Sequence, residues 1–208
     1  MSTRTVPDAR ARILDAACDV IAEHGIEDVR IARIAVVAGV SPALVHYHFA
    51  TREALLAEAL EHSFELLGNL RTVAAEADDW TCAQKLGWMI DQSLPFPGMG
   101  EREWRLWLEL WSRAARRPEL REVAAQLYAR YDGWIAEVVE AGIGSGEFKA
   151  RDAAAVVQRL IAAIDGHGLR VLVDDPAMPA ARARRLVVGG LAAELGLDAE
   201  AFDPRGGT

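Results

Sequence analysis

Pro42, Ala43, His46 and Tyr47 stand at i, i+1, i+4 and i+5 in a short stretch opened by Ser41 and closed by Phe49, so one helix face carries all four. The imidazole and the phenol can donate and accept hydrogen bonds, while the proline ring and the alanine methyl offer small apolar contacts. A rigid helix presenting such groups outward can enter a DNA major groove, which is about 12 Å wide. A second set of residues is aromatic. Trp104, Trp107 and Trp111 follow one another at i, i+3 and i+7, and Trp88, Tyr128 and Trp134 lie in neighbouring helical stretches. Such rings either wall a pocket for an apolar or cationic small molecule or simply fill a core. Asp165 and His167 interrupt an otherwise apolar helix, and once buried they need hydrogen-bond partners, at a subunit seam or on a ligand.

The remaining candidates for chemistry read as structural. His46 and His48 are two residues apart and point to different sides of a helix, so they make no metal site. The glycine run over 142–146 lacks a Walker lysine and a preceding strand, which makes it a helix stop, not a phosphate loop. No nucleophile–base pair or metal cluster occurs at a diagnostic spacing, so the expectation is a non-enzyme with no cofactor and no metal. A helical hydrolase with scattered catalytic groups and an adaptor without DNA binding are the competing classes.

These side chains need positioning elements, and composition says what those are. Of 208 residues, 51% are apolar, enough to bury a sizeable core. Alanine, leucine, arginine and glutamate dominate, which favours helix over sheet. No apolar run reaches the roughly 18 residues of a membrane span, residues 1–12 are polar and charged, and the expected location is the cytoplasm. Cys18 and Cys82 sit far apart in apolar surroundings and read as buried, reduced residues. The net charge of −8 cuts against nucleic-acid binding. Residues 1–60 carry six arginines against eight acids, and 1–12 hold a local excess of three arginines over one acid. Any DNA binding must therefore come from a few placed groups and not from bulk attraction.

Periodicity and punctuation predict helices over 8–24, 31–38, 42–48, from 52 onward, 80–94, 101–116, 118–141, 152–173 and 180–195. Gly25, Gly39 and Gly196 read as stops, and Pro95 to Gly98 as a break. Ser41 and Thr51 are expected to cap, with Pro42 in a first turn; Asp28 is one candidate cap for the second helix. Leu56, Leu60, Phe64 and Leu67 form the buried stripe of the fourth helix. Small Ala35 and Ala38 let two helices cross closely, and Val40, Val45 and Phe49 plug the core beneath them. The expected fold is all-α with about nine helices. A DNA-binding module covers 8–68 with its helix-turn-helix over about 30–49, an effector and dimerisation domain covers 69–197, and 198–208 is a loose tail.

The stretch VRIARIAVVAGVSPALVHYHFATREALLAEAL over 29–60, with ARILDAACDVIAEHGI before it, resembles the TetR family of regulators. The close Tyr47-His48-Phe49 followed by Thr51-Arg52-Glu53 is that family's hallmark. EREWRLWLELWSRA, GIGSGEF and IDGHGL in the second half resemble the effector domain of choline-responsive BetI-type repressors. The resemblance implies a homodimer that binds a palindromic double-stranded operator, represses transcription and is released by a small-molecule effector. It implies DNA contact by Ser41, Pro42, Ala43, His46, Tyr47, Thr51 and Arg52, with Arg52 in place of the usual lysine against a phosphate. Arg30 stands where a capping threonine is common, and His46 where a tyrosine is frequent. The effector would lie among Trp88, Trp104, Trp107, Trp111, Tyr128, Trp134 and His167.

Val156, Leu160, Ile164, Leu169 and Leu172, with Leu186, Val187, Gly190 and Leu191 from the last helix, make an apolar surface larger than a lone helix pair needs. The expectation is a four-helix seam between two protomers; the alternative is cover by other helices of the same chain.

Overall fold

The computed structural model describes residues 8–27, 29–75, 77, 79–96 and 100–203. Among them are nine α-helices: α1 Ala9–His24, α2 Ile31–Ala38, α3 Pro42–His48, α4 Arg52–Ala75, α5 Cys82–Ser93, α6 Glu101–Ala114, α7 Pro118–Gly144, α8 Ala153–Leu172 and α9 Ala180–Leu195. A single 3-10 turn, Ala199–Phe202, follows. The all-helical expectation holds, with no strand element among the described residues. No single helix among them is long and apolar enough to cross a membrane.

Most boundaries follow from punctuation already in the sequence. Gly39 takes the left-handed conformation, φ 65° and ψ 39°, and its N–H closes on the last carbonyls of α2. Ser41 Oγ accepts from Leu44 N at 3.2 Å, and Thr51 Oγ1 accepts from Ala54 N at 3.0 Å, so α3 and α4 both start on side-chain caps. Asp152 caps α8 in the same way through Ala155 N. Helix α2 has no side-chain cap at Arg30. The Asp28 alternative, the Pro97-Gly98 part of the break and the Leu67 side chain lie outside the described residues.

Three ends differ from the sequence expectation by two residues or more. Helix α6 stops at Ala114, two short of Arg116. The fifth helix starts at Cys82, two residues after Trp80, because Thr81 and Gln84 form a reciprocal capping box. Helix α7 runs three residues beyond Ala141, through Gly142 and Gly144, and stops at Gly146 with φ 79°. Gly142 is needed inside the helix because the Phe148 ring lies where a Cβ would stand.

The chain forms two compact units. The first combines Met1–Leu67 with Arg105–Ala125; the second combines Gly68–Trp104 with Gln126–Thr208. The first unit thus takes in a stretch beyond the 8–68 module read from sequence. Its core is built on Ile13, Ile21, Ile34, Val45, Phe49 and Leu55, all essentially inaccessible. Cys18 is buried there with Sγ 3.1 Å from the Ala59 carbonyl oxygen. Val40 is only half-buried, because the Gly39 turn places it at the rim.

In the second unit α8 packs along α9, and α5 lies against α9 and the 3-10 turn. Arg184 of α9 pairs with both carboxylate oxygens of Asp91 on α5. Glu147 accepts from the backbone N–H groups of Cys82 and Ala83, at 3.0 and 2.8 Å, at the α5 start. Burial and that carboxylate together push the Cys82 thiol pKa up, which leaves it protonated. Trp104 is 6% exposed, with its indole face on Gly168 and its Nε1–H donated to the Ser93 carbonyl at 2.8 Å.

The expected loose tail is corrected over 199–203. Phe202 is fully buried, and its backbone carbonyl presses on Gly87 of α5 so closely that no Cβ fits there. An aromatic side chain that removes this much apolar area from water outweighs the cost of ordering a short turn. Phe202→Ala should cost about 3–5 kcal/mol of stability. Gly87→Ala should cost about 1–3 kcal/mol through overpacking. Chemical denaturation of both single variants and the double variant checks the assignment. If the buried Phe202 side chain is what holds that carbonyl against Gly87, the two losses combine to less than their sum.

Candidate nucleic-acid interface and effector site

Helix α3 is seven residues long, too short to be stable without help from its surroundings. Val45 and Phe49 are buried beneath it, and the Ser41 cap fixes its first turn. The opposite face is left to solvent: Pro42, Ala43 and His46 are exposed, and Tyr47 is 82% exposed. His48 is half-buried, its ring between those of Tyr47 and Phe49 at 5.3 and 6.2 Å. Ser41 and Thr51, also expected at the interface, are exposed and engaged in capping.

Sequence reasoning passed over α2 as a surface. Its exposed side carries Arg33, Val36 at 80% exposure and Val37 at 52%. The spacing of 33, 36 and 37 against buried Ile34, Ala35 and Ala38 was the available signal. Arg30, just before α2, is also exposed; neither it nor Arg33 has a described side-chain hydrogen bond or ion pair.

Arg52, expected against a phosphate, has partners inside the chain. Its guanidinium Nη2 donates to the carbonyl oxygens of Ile26 and Glu27, the latter at 3.0 Å. One terminal nitrogen of the guanidinium therefore ties together two carbonyls of the loop after α1. The same loop is held from the α6 side. Glu109 accepts from Ile26 N at 3.4 Å, and Arg113 pairs with Glu27 and, at 3.7 Å, with Glu109. Arg10 is likewise committed, to Glu58 and to the Phe49 ring face at 5.5 Å.

The aromatic set expected around an effector divides between the units. Trp107 and Trp111 belong to the first, their rings 5.7 Å apart and Trp107 6.1 Å from Phe64. Trp88, Trp104, Tyr128, Trp134 and His167 belong to the second. There, Tyr128 of α7 donates its hydroxyl to Asp165 Oδ2 of α8 at 2.8 Å. Burial pushes the Asp165 pKa up; the Tyr128 hydrogen bond opposes this and the Asp132 charge adds to it. Asp132 itself accepts from Gln158 Nε2 at 2.9 Å.

One turn along α7, the Tyr131 hydroxyl lies 2.5 Å from Ser93 Oγ, which donates to the Met89 carbonyl. Burial pushes the Tyr131 pKa up to about 12, with Asp165 and Asp132 adding to the effect and the Ser93 bond opposing it. Its ring meets that of Trp134 edge-on at 6.5 Å. Tyr131 was missed in the sequence, although 128, 131 and 134 share the i, i+3 spacing of one helix face. His167 is half-buried, and two residues on from Asp165 it lies roughly 200° further round α8, so the two do not share a face.

The seam residues also divide. Leu160, Ile164, Val187 and Leu191 are buried inside the single chain, spent on the packing of α8 against α9. Leu169 and Leu186 remain exposed, Leu172 is half-exposed and Gly190 is open. Val173, Gly166 and Gly189 extend this outer surface.

Comparison with known proteins adds the family. Residues 13–59 match the model of bacterial regulatory proteins of the TetR family, and 83–196 match that of the BetI-type transcriptional repressor C-terminal domain. The chain is 35% identical over 126 residues to the HTH-type transcriptional regulator BetI of Rhizobium meliloti, a match spanning 60% of the length of each. Among solved structures it is similar to a transcriptional regulator from Saccharomonospora viridis in complex with choline. Identity is 31%, with 89% of this chain and 95% of that one covered and a TM-score of 0.79. It is also similar to FadR from Bacillus subtilis in complex with stearoyl-CoA, at 25% identity, TM-score 0.69 and coverage of 88% and 97%. With one of the two family models covering more than half of its length and the other its helix-turn-helix, the chain belongs to the TetR family of bacterial transcriptional regulators, with a BetI-type C-terminal domain.

Proposed function

We propose that this protein is a DNA-binding repressor that acts in the cytoplasm as a homodimer on a palindromic operator and is released by a small cationic effector. The observation that carries the reading is the α3 helix, buried on one side through Val45 and Phe49 and open on the other through Pro42, Ala43, His46 and Tyr47. Two such helices about 34–36 Å apart reach successive major grooves. Exposed Arg30 and Arg33 beside them are available to phosphate, and Arg52 serves instead to brace the module.

The dimer is proposed on the outer side of α8 and α9, where Leu169, Leu186 and Val173 are exposed beside Gly166, Gly189 and Gly190. Glycines with open space at the Cβ position let a second helix pair approach closely. The buried members of the expected seam act from beneath, by fixing α8 against α9.

A cation is favoured as effector over a carboxylate or an acyl-CoA by the chemistry of the second unit. Asp165 is a desolvated carboxylate beside Tyr128, with Tyr131, Asp132 and Trp134 on the facing helix. Aromatic faces and a partly buried negative charge suit a quaternary ammonium and repel an anion. The relative solved with choline supports this class. Release then needs no special pathway: an effector that binds the DNA-free form more tightly weakens DNA binding by the same factor.

Measurements of DNA affinity, its salt dependence and assembly state test the DNA-binding and dimer parts of this reading. Fluorescence anisotropy on a duplex from upstream of the protein's own gene should show Tyr47→Ala weakening binding by roughly 5- to 150-fold, as for removal of a base interaction worth about 1–3 kcal/mol. Arg33→Ala should lower the salt slope by about one, the value for a single phosphate no longer neutralised; an unchanged affinity and slope in both variants would remove α2 and α3 from the interface. Leu186→Glu should turn a dimer into monomers in sedimentation while leaving helicity intact; a dimer that persists places the seam elsewhere.

Asp165→Asn should abolish choline binding in calorimetry and leave DNA affinity alone. Because the folded-state pKa of Asp165 is raised, the proton binds the native protein more readily than the unfolded chain. The ionised group therefore costs stability at neutral pH, and that cost is relieved as pH falls through the raised pKa. Choline affinity should fall as pH falls through that raised pKa, and thermal stability of Asp165→Asn should match or exceed that of the parent. Undiminished choline binding by the variant would move the effector away from Asp165.

A further inference from the structure

The exposed face of the helix-turn-helix has an unusual chemistry for a surface that reads DNA, and it has consequences for which sequence is read. Helix α3 is PALVHYH, without a single Arg, Lys, Asn, Gln, Asp or Glu. Those are the side chains that recognise guanine, adenine and cytosine through paired hydrogen bonds. What α3 presents outward is the Pro42 ring, the Ala43 methyl, the His46 imidazole and the Tyr47 phenol. At the C-terminal end of α2, Val36 and Val37 add two exposed isopropyl groups just before the Gly39 turn.

Among the described residues of the first unit nothing covers these valines or Tyr47, although Ile13, Val20, Ile34 and Val45 are all buried there. In the major groove only one base carries an apolar group at its edge, the C5-methyl of thymine. An alanine or valine methyl set against a guanine, cytosine or adenine edge would instead take a hydrogen-bonding group out of water and leave it unpaired. Attraction to thymine and the penalty at the other bases therefore act in the same direction.

We infer that this protein reads its operator chiefly through thymine C5-methyl groups, received by the apolar face of Pro42, Ala43 and Tyr47 and extended by Val37. The inference rests on the DNA-binding reading above and goes further by naming the chemical group recognised. His46 is the basic side chain on the exposed α3 face that can hydrogen-bond a base. Arg30 and Arg33 hold phosphate and contribute affinity without sequence preference.

The test keeps the protein intact and alters the DNA. Duplexes bound by the full chain are first selected from a random-sequence pool. Each thymine of the selected site is then replaced singly by deoxyuridine, which keeps its pairing and its O4 acceptor and lacks only the methyl. Anisotropy should show that one or more thymines in each half-site lose affinity on replacement, by about four-fold per methyl, the transfer value of one such group. Ala43→Gly and Val37→Ala should bind more weakly and should no longer distinguish thymine from uracil at the position each touches.

If every uracil duplex binds within about two-fold of the parent, well inside the four-fold expected for one methyl, the inference is overturned while DNA binding stands. Discrimination that survives in both variants overturns its assignment to this face. A pool from which no sequence is enriched overturns the DNA-binding reading itself.

Discussion

A recognition helix of seven residues cannot hold its own shape, and the first unit is organised around that constraint. An isolated segment of this length gains too few hydrogen bonds to offset the backbone entropy of nucleation. Here the ordering is supplied from outside. Gly39 turns the chain, Ser41 caps the first turn, Pro42 presets φ, and Val45 and Phe49 anchor the underside. The loop after α1 is gripped by Arg52 from α4 and by Glu109 and Arg113 from α6, so the helices beneath α3 cannot drift. An exposed face becomes useful for recognition only because the rest of the helix has no freedom left.

That arrangement also explains how an acidic protein can be assigned to DNA. With a net charge of −8, the chain as a whole is repelled by a polyanion. Several of its cations are consumed internally, Arg10 by Glu58, Arg113 by Glu27, Arg184 by Asp91 and Arg159 by Glu194. Arg30 and Arg33 remain exposed beside the apolar face. On the proposed reading, weak general attraction combined with a rigid apolar face would shift discrimination toward contacts at base edges and away from charge.

The sequence made the first unit legible because its signals are local. Gly39, Ser41-Pro42 and Thr51 act within three or four residues, and the helices they delimit appear where expected. The capping box at Thr81 and Gln84 was equally local and could have been read. Long-range partners are another matter. Nothing near Arg52 indicates that its guanidinium turns to carbonyls 25 and 26 residues back, and nothing near Glu109 points to Ile26, 83 residues away. Gly87 gives no hint that Phe202 will lie on it. The division of α8 and α9 into buried and exposed faces was half legible for a related reason: apolar periodicity marks both the face turned to the neighbouring helix and the face turned outward, and only the packing separates Leu160 from Leu169.

Asp165, the proposed effector anchor, is held at a cost in the empty protein. Burial opposes its ionisation, the Tyr128 hydroxyl compensates in part, and Asp132 makes the charge still less comfortable. A core built for stability alone would place an apolar residue there, as α8 does nearby at Ile161 and Ile164. A bound cation would supply the missing counter-charge, so the same group that weakens the empty protein would strengthen the occupied one. A difference in stability between empty and occupied forms is what a ligand-controlled regulator needs, since an effector shifts an equilibrium only by the amount its affinity differs between two states. In the proposed cationic reading, that difference is carried by a carboxylate whose charge stays uncompensated until the ligand arrives.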